Sequence, residues 1–334
     1  MQTRPATSTR VVAIDIARGL AIIGMFVAHA VPRANDAELF VDGRSSILFA
    51  TLAGVSLGIM TGSQHPLGRG QRSDRVVGIL VRALFLFLLG LVLSSLHSGI
   101  AIILHFYALM FLVLIPLLFL RRWLLGLIGM AFFIGAPLLG AAQGEVDVDQ
   151  PAFAYFIDYF FLNGTYPVLI WMPFLLAGLI IVRSDLNRPK TQVATTGIGA
   201  SAAVAGYGAA VVLPGASAAA HSGSIAEVIG SGGLAIALIG ALLWLTARQR
   251  DVPGRIARGI LWPVAATGSM ALSVYTLQIM VLAIVVAGGR EVDYPGWPLL
   301  IWMLVVTLLG ASLWRHFLGK GPLERLLASL TRAP

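Results

Sequence analysis

The fold predicted by this sequence is all-α: a polytopic bundle of about ten transmembrane helices with both termini on the cytoplasmic side. Three observations carry the prediction. First, the composition is extreme, with 58% hydrophobic and only 11% charged residues over 334 positions, and a mean hydropathy of +0.88. Second, the apolar residues fall in continuous runs of about 18 to 25, the length that crosses a bilayer as a helix. Strands of a membrane barrel would instead give short alternating segments. Helices and closed barrels are the two ways to satisfy a backbone in lipid, so continuous runs select the helix. Third, lysine and arginine collect in alternate loops, as expected of cytoplasmic segments.

The spans follow in chain order. The first covers about 11–31, the second about 45–62, the third about 76–97, the fourth about 100–120 and the fifth about 123–142. Beyond an acidic segment and an aromatic stretch, Phe153 to Pro167, five more cover about 167–183, 194–213, 225–246, 262–287 and 297–317. Gly54, Gly58 and Gly62 make a small-residue stripe that lets another helix approach closely. Arg82 lies one and a half turns into the third span. The aromatic stretch suits an interfacial helix or loop at headgroup level. The seventh span is rich in Ala and Gly, which predicts tight packing or a peripheral place. The ninth carries Ser273, Tyr275 and Gln278. The chain reads as one integral membrane domain, 1–334, with a cytoplasmic tail at 1–10, the bundle at 11–317, and a basic amphipathic tail at 318–334 lying on the membrane surface.

Six basic segments fix the orientation. They hold Arg4 and Arg10; Arg69, Arg72 and Arg75; Arg121 and Arg122; Arg183, Arg188 and Lys190; Arg248, Arg250, Arg255 and Arg258; and Lys320, Arg325 and Arg332. The intervening loops are neutral or acidic. The net charge of +8 is therefore a topology signal and not a nucleic-acid signal. The short basic N-terminus reads as a tail and not as a signal peptide, because the run after it is too long and lacks a cleavage site. With no cysteine, thiol chemistry and disulfides are excluded.

The first span concentrates the chemistry. Asp15, Arg18 and His29 interrupt its apolar run, and ionisable groups at membrane depth are costly enough to be read as functional. Asp15 is one turn before Arg18 and positioned to pair with it. Arg18 and His29 are eleven residues apart, close to three turns, so they share a face at about 16 Å separation. The orientation puts Arg18 toward the cytoplasm and His29 toward the outside. The plainer alternative is that Asp15 and Arg18 anchor a helix end while His29 meets the water interface.

Other chemistries lack their marks. There is no P-loop and no G-x-S-x-G, and matching broken inverted halves are not apparent. The six histidines (29, 65, 97, 105, 221 and 316) are dispersed. His29, His97 and His105 could share the outer face as a zinc site, but no metal is expected.

The stretch R-V-V-A-I-D-I-A-R-G-L-A-I-I-G-M, from Arg10, resembles the opening of the bacterial DUF418 (YeiB-like) membrane proteins. Asp42 to Gly58 is similar to that family's second-span motif and to the heparan-α-glucosaminide N-acetyltransferase group. Met270 to Gln278, M-A-L-S-V-Y-T-L-Q, and Gly321 to Leu327, G-P-L-E-R-L-L, resemble its closing motifs. The resemblance spans the chain and implies the transmembrane acyltransferase superfamily, in which Arg18 and His29 meet the Arg-x10-His signature of the acyltransferase-3 branch. The heparan-type histidine belongs to the loop after the first span; Pro32 to Val41 has neither His nor Trp.

By that resemblance, acyl-CoA, acetyl-CoA in the first instance, is the donor, supplied from the cytoplasm. The acceptor is an extracytoplasmic sugar or lipid-linked envelope group. His29 would be general base or acyl carrier, an imidazole titrating near working pH. Arg18, oriented by Asp15, would stabilise the thioester or hold donor phosphates. Arg69, Arg72 and Arg75, with Arg255 and Arg258, could attract CoA phosphates, or serve only as topology determinants. Asp42, Arg44, His105, Tyr107, Tyr275 and Gln278 are candidate acceptor-side residues; the plainer readings are a helix cap, interface residues and interhelical hydrogen bonding. Membrane lipids are the surroundings, the inner membrane is the expected location, and a homodimer is compatible with these readings. A transporter of a small or lipidic solute, or a non-catalytic envelope subunit, uses the same polar face differently.

Overall fold

A computed structural model describes residues 11–31, 37–143, 149–247, 252–289 and 296–331. Its described residues form helices joined by turns and loops, with no strand among them. In chain order the helices are α1 (Val12–Ala30), α2 (Arg44–Met60), α3 (Arg72–Ser94), α4 (Leu104–Leu114), α5 (Arg122–Gln143), α6 (Ala152–Ile157) and α7 (Val168–Arg183). They continue as α8 (Pro189–Val212), α9 (Ile225–Ala247), α10 (Val252–Ile260), α11 (Trp262–Gly268), α12 (Ala271–Ala287), α13 (Gly296–Phe317) and α14 (Pro322–Leu330).

Each of the predicted spans coincides with one of these helices or with a helix pair. Six helices, α1, α3 with its leading turn, α5, α8, α9 and α13, are long and apolar enough to cross a membrane, and two bent pairs raise the number to eight. The remaining two predicted spans, α2 and α4 with its following 3-10 turn, are shorter apolar helices. One bent pair joins α6 and its π-helical extension to α7 at 44°, and the other joins α11 to α12 at 81°. The ninth predicted span is thus not one straight helix but two, broken at Ser269 and Met270. The aromatic stretch expected at headgroup level is α6 and its π-turn, closed by Asp158 accepting from Asn163 Nδ2 at 2.7 Å and from Gln150 Nε2 at 3.3 Å. Arg4, Arg10, Arg248, Arg250 and Arg332, on which part of the charge reading rests, lie outside the described residues.

Burial orders the helices. In α1, 61% of the spanning window is buried and in α9 56%, against 17% in each of α5, α8 and α13. The outer helices expose apolar rows at helical spacing, such as Leu84, Leu88 and Leu91 on α3 and Leu127, Met130, Ile134 and Leu138 on α5. In water such contiguous surface would drive aggregation; against lipid tails it is the matching face. The charged helix α1 is therefore among the inner helices, where its polar groups can find partners.

Glycines set the closest approaches. A Cβ at Gly54 would overlap the carbonyl of Leu175, and one at Gly178 the carbonyl of Thr51, so α2 and α7 pack backbone against backbone. That is the partner the Gly54 stripe calls for. On α8, Gly199 and Gly206 meet Gly233 and Gly230 of α9 in the same way. The Ala- and Gly-rich span is both tightly packed on one face and peripheral on the other. Gly19 and Gly268 bring α11 onto α1, where a Cβ at Gly268 would overlap the carbonyl of Asp15.

Two charged side chains tie helix ends together. Arg183, at the end of α7, donates to the carbonyls of Gly58 and Leu118 and to Thr61 Oγ1, and also to the Ser63 carbonyl. It satisfies the carbonyl ends of α2 and of the turn after α4 and complements their dipoles. Glu324 does the converse at the α11–α12 break. It accepts from the Leu272 amide at 2.8 Å, the Ser273 amide at 3.2 Å and Ser273 Oγ at 2.5 Å, while the Leu323 amide donates back to Ser273 Oγ at 3.0 Å. A carboxylate thereby caps the exposed N–H groups of α12 in the manner of a capping box. Within the tail expected to lie on the membrane surface, this contact docks α14 onto the bundle at the broken helix. A side chain at Gly321 would collide with Met270 and Ser273, which is why the docking turn carries glycine.

Candidate active site

The trio on α1 is built as its spacing predicts at one end and completed by other helices at both. Arg18 donates from NH1 to Asp15 Oδ1 at 3.1 Å and from NH2 to Ser56 Oγ at 2.7 Å. Asp15 is only 5% exposed. Ser56 in turn donates to the Leu52 carbonyl at 2.6 Å, so α2 fixes the oxygen that Arg18 meets. The guanidinium is thereby held on two sides, at the border of an open space in the bundle.

That space is divided by Arg18. A cavity of about 740 Å³ lies at the end of the bundle that holds the start of α1, the turn after α2, the turn after α7 and the end of α9. Its polar lining includes Asp15, Arg18, Gln64, Asn187, Thr246 and Arg258. A second cavity of about 350 Å³ lies between α1, α2, α3, α4, α12 and α14. It begins at Arg18, Ser56, Arg82 and Glu324 and includes Met25, Phe49, Tyr107 and Tyr275. Arg18 and Ile59 line both.

His29 is one turn beyond Met25. Its Nδ1 lies 2.8 Å from Gln278 Nε2, and that amide also points at the Met25 carbonyl at 3.5 Å. Gln278 is 2% exposed. Its place on α12, which the break at Ser269 and Met270 re-aims, brings it to α1 across the bundle. His29 itself does not line the smaller cavity, whose wall on α1 ends at Met25.

The other sequence candidates divide. Tyr107 and Tyr275 line the smaller cavity; the Tyr107 hydroxyl donates to the Ser46 carbonyl at 3.3 Å and Tyr275 bonds the Ile103 backbone. His105 lies elsewhere: it is buried against Phe106 and Phe160, its Nδ1 has no partner, and it lines neither cavity. Asp42 accepts from the Leu39 amide at 2.8 Å. Arg44 pairs with Glu38, donates to Tyr207 Oη and the Ala218 carbonyl at 3.1 Å each, and sits over the Phe40 and Tyr207 rings. Asp42 thus closes the turn before α2, and Arg44 locks that loop to α8 and its following turn. Arg69 and Arg75 are exposed, and Arg72 donates to the Leu67 carbonyl beneath Phe119. None of these three lines a cavity; of the arginines named for the donor's phosphates, Arg258 does, along with Arg18. Among the described residues no three His, Cys, Asp or Glu side chains group as metal ligands, and the zinc alternative through His29, His97 and His105 is not assembled.

Three contributors escaped sequence reasoning: Ser56, Arg82 and Glu324. Arg82 carried a signal, a charge within an apolar span. Glu324 carried one too, as the single carboxylate of the closing G-P-L-E-R-L-L motif. Ser56 carried none.

The profile of the heparan-α-glucosaminide N-acetyltransferase catalytic domain matches residues 10–210, which include α1 with Asp15, Arg18 and His29. The chain belongs to that family. A second profile, described as a protein of unknown function, DUF418, matches residues 180–334, which include Gln278 and Glu324. A search of curated proteins found no match. Both resemblances drawn from the motifs are thus present, one in each part of the chain. The heparan-α-glucosaminide N-acetyltransferase family makes this a membrane acetyltransferase-like protein, and an acyl-CoA is the donor class that goes with it. The residues around Arg18 fit such a donor. The larger cavity offers two guanidinium groups, Arg18 and Arg258, amid amide and hydroxyl side chains, a set suited to phosphates and to the amides of a pantetheine arm.

Proposed function

We propose that the protein transfers an acyl group, acetyl in the first instance, from cytoplasmic acyl-CoA to an acceptor hydroxyl or amine on the outer side of the inner membrane. Both termini are cytoplasmic in this reading, so the larger cavity opens to the cytoplasm. The observation that carries the reading is the position of Arg18 between the two cavities, with the smaller cavity rising along α1 to within one turn of His29.

CoA lies in the larger cavity with its phosphates at Arg258 and Arg18. The thioester arm passes Arg18 into the smaller cavity, between Tyr107 and Tyr275. His29 removes the proton from the acceptor; the acceptor oxygen or nitrogen bonds the acyl carbon, the C–S bond breaks, and the CoA thiolate leaves and takes up a proton. Arg18 stabilises the negative charge that develops on the donor, and the Gln278 amide, turned so that its Oε1 accepts from Nδ1–H, leaves Nε2 of His29 free to take the proton. A double displacement through acyl-His29 uses the same groups.

The test is radiolabelled acetyl-CoA with purified protein in nanodiscs, following CoA release and label transfer. The expected result is turnover that His29→Ala abolishes while the variant retains its unfolding temperature. CoA release at the wild-type rate by His29→Ala, or solute flux in proteoliposomes with no turnover of any acyl-CoA, would overturn it.

A further inference from the structure

Arg82 is not used by the acyl-transfer reading, yet it is the most exceptional charge in the bundle. It lies ten residues into α3, about 15 Å along the axis from Arg72. Its side chain lines the smaller cavity beside Arg18. Among the described residues it makes no hydrogen bond or ion pair, and its Nε is fully buried. Glu324 is within electrostatic range, but its two oxygens are taken up by the amides of Leu272 and Ser273 and by Ser273 Oγ. A guanidinium carries five N–H donors in a planar fork that fits carboxylate or phosphate. Leaving all of them unmatched at membrane depth is costly, and such groups mark ligand sites.

The rest of the cavity says what the anion is attached to. Beyond the two arginines the wall is mostly apolar, with Leu52, Leu86, Leu104 and Phe111 on it; its polar remainder is Ser56, Ser269, Glu324 and the two tyrosines. Apolar walls favour hydrocarbon over a second polar group.

We propose that Arg82 and Arg18 bind the anionic head of an amphiphile, a phosphate or carboxylate bearing a hydrocarbon tail, and that the tail fills the 350 Å³ cavity. The site is read by binding alone, so it stands or falls separately from the transfer reaction.

The experiment uses the full chain in nanodiscs of phosphatidylcholine only. Dodecyl phosphate is titrated while thermal unfolding is followed, with dodecanol, inorganic phosphate and CoA as parallel arms. Dodecyl phosphate is expected to raise the unfolding temperature saturably. Arg82→Gln should weaken that response at least tenfold, and Arg82→Lys should recover part of it. Without ligand, Arg82→Gln should unfold at the wild-type temperature or above, because the substitution removes an unmatched buried cation; a structural arginine would give a fall. Should Arg82→Gln fail to fold, Ala53→Phe, which fills the cavity beside the arginines, is expected to abolish dodecyl phosphate binding. Equal binding of dodecanol would overturn the head-group site. Equal binding of inorganic phosphate would assign the arginines to a free anion and overturn the amphiphile; because the donor's thioester arm shares this cavity, CoA is expected to compete with dodecyl phosphate, and a lack of competition would overturn the placement. Unchanged dodecyl phosphate affinity in Arg82→Gln or Ala53→Phe would overturn the placement.

Discussion

His29 Nδ1 and Gln278 Nε2 meet at 2.8 Å although 249 residues separate them in the chain. The contact makes the imidazole of α1 dependent on the geometry of α12. Gln278→Leu removes the polar partner with little change in volume, so the ring loses its fixed orientation. In the acetyl-CoA assay we expect kcat to fall by about 10²-fold with KM for the donor nearly unchanged, because a misaligned base weakens the chemical step and not binding. A rise in KM with kcat intact would place Gln278 in donor binding instead.

Asp15 and Ser56 both hold Arg18. Asp15→Ala removes the carboxylate that pairs with Arg18, and breaking a buried ion pair by removing one partner costs about 3–5 kcal/mol. Ser56→Ala removes a hydrogen bond to a charged group, a loss of about 1.5–3 kcal/mol at most. Both are expected to raise KM for acyl-CoA, the first more than the second. A double-mutant cycle on unfolding should show coupling, since both partners hold one guanidinium.

The docking of α14 is testable through Glu324. Glu324→Ala removes the acceptor for two α12 amides and a hydroxyl, and we expect a loss of about 1–3 kcal/mol in unfolding free energy. Glu324→Gln keeps one acceptor oxygen and should lose less. Ser273→Ala in the Glu324→Ala background should cost almost nothing further, because its partner is already gone. Additive losses in that background would show that Ser273 and Glu324 act independently.

Gly268 positions α11 against the carbonyl of Asp15. Gly268→Ala must push the helices apart, with an expected destabilisation of about 1–3 kcal/mol and a parallel loss of activity through Arg18. Gly126→Ala on α5 has open space around it and is the matched control. It should retain or raise the unfolding temperature, since Ala is the better helix former.

How much of this was legible beforehand differs by residue. Asp15 and Arg18 pair because a three-residue spacing on a helix dictates it, and that could be read directly. The glycine stripe on α2 could be read as a packing face, but not its partner α7. His105 and Tyr107 looked equivalent, two polar residues near one end of a span. Only the rotation of α4 in the bundle separates them, putting Tyr107 on the cavity and His105 behind it. The break between α11 and α12 was invisible because Ser269 and Met270 are ordinary residues within an apolar run. What makes the break stable is Glu324, fifty-two residues away from the Leu272 amide it accepts.

The sequence by itself determined that the chain is helical, that it carries helices long and apolar enough to cross a membrane, and that Asp15, Arg18 and His29 fall within the first of them. Those properties follow from hydropathy and helical period, which act over neighbouring residues. The tertiary structure alone decided which polar groups meet. It seated Gln278 on His29, Ser56 on Arg18 and Glu324 on α12, and it left Arg82 facing a cavity without a hydrogen-bond or ion-pair partner among the described residues. Such pairings depend on how helices rotate and cross, which is set by backbone contacts at Gly19, Gly54 and Gly268 rather than by any local pattern.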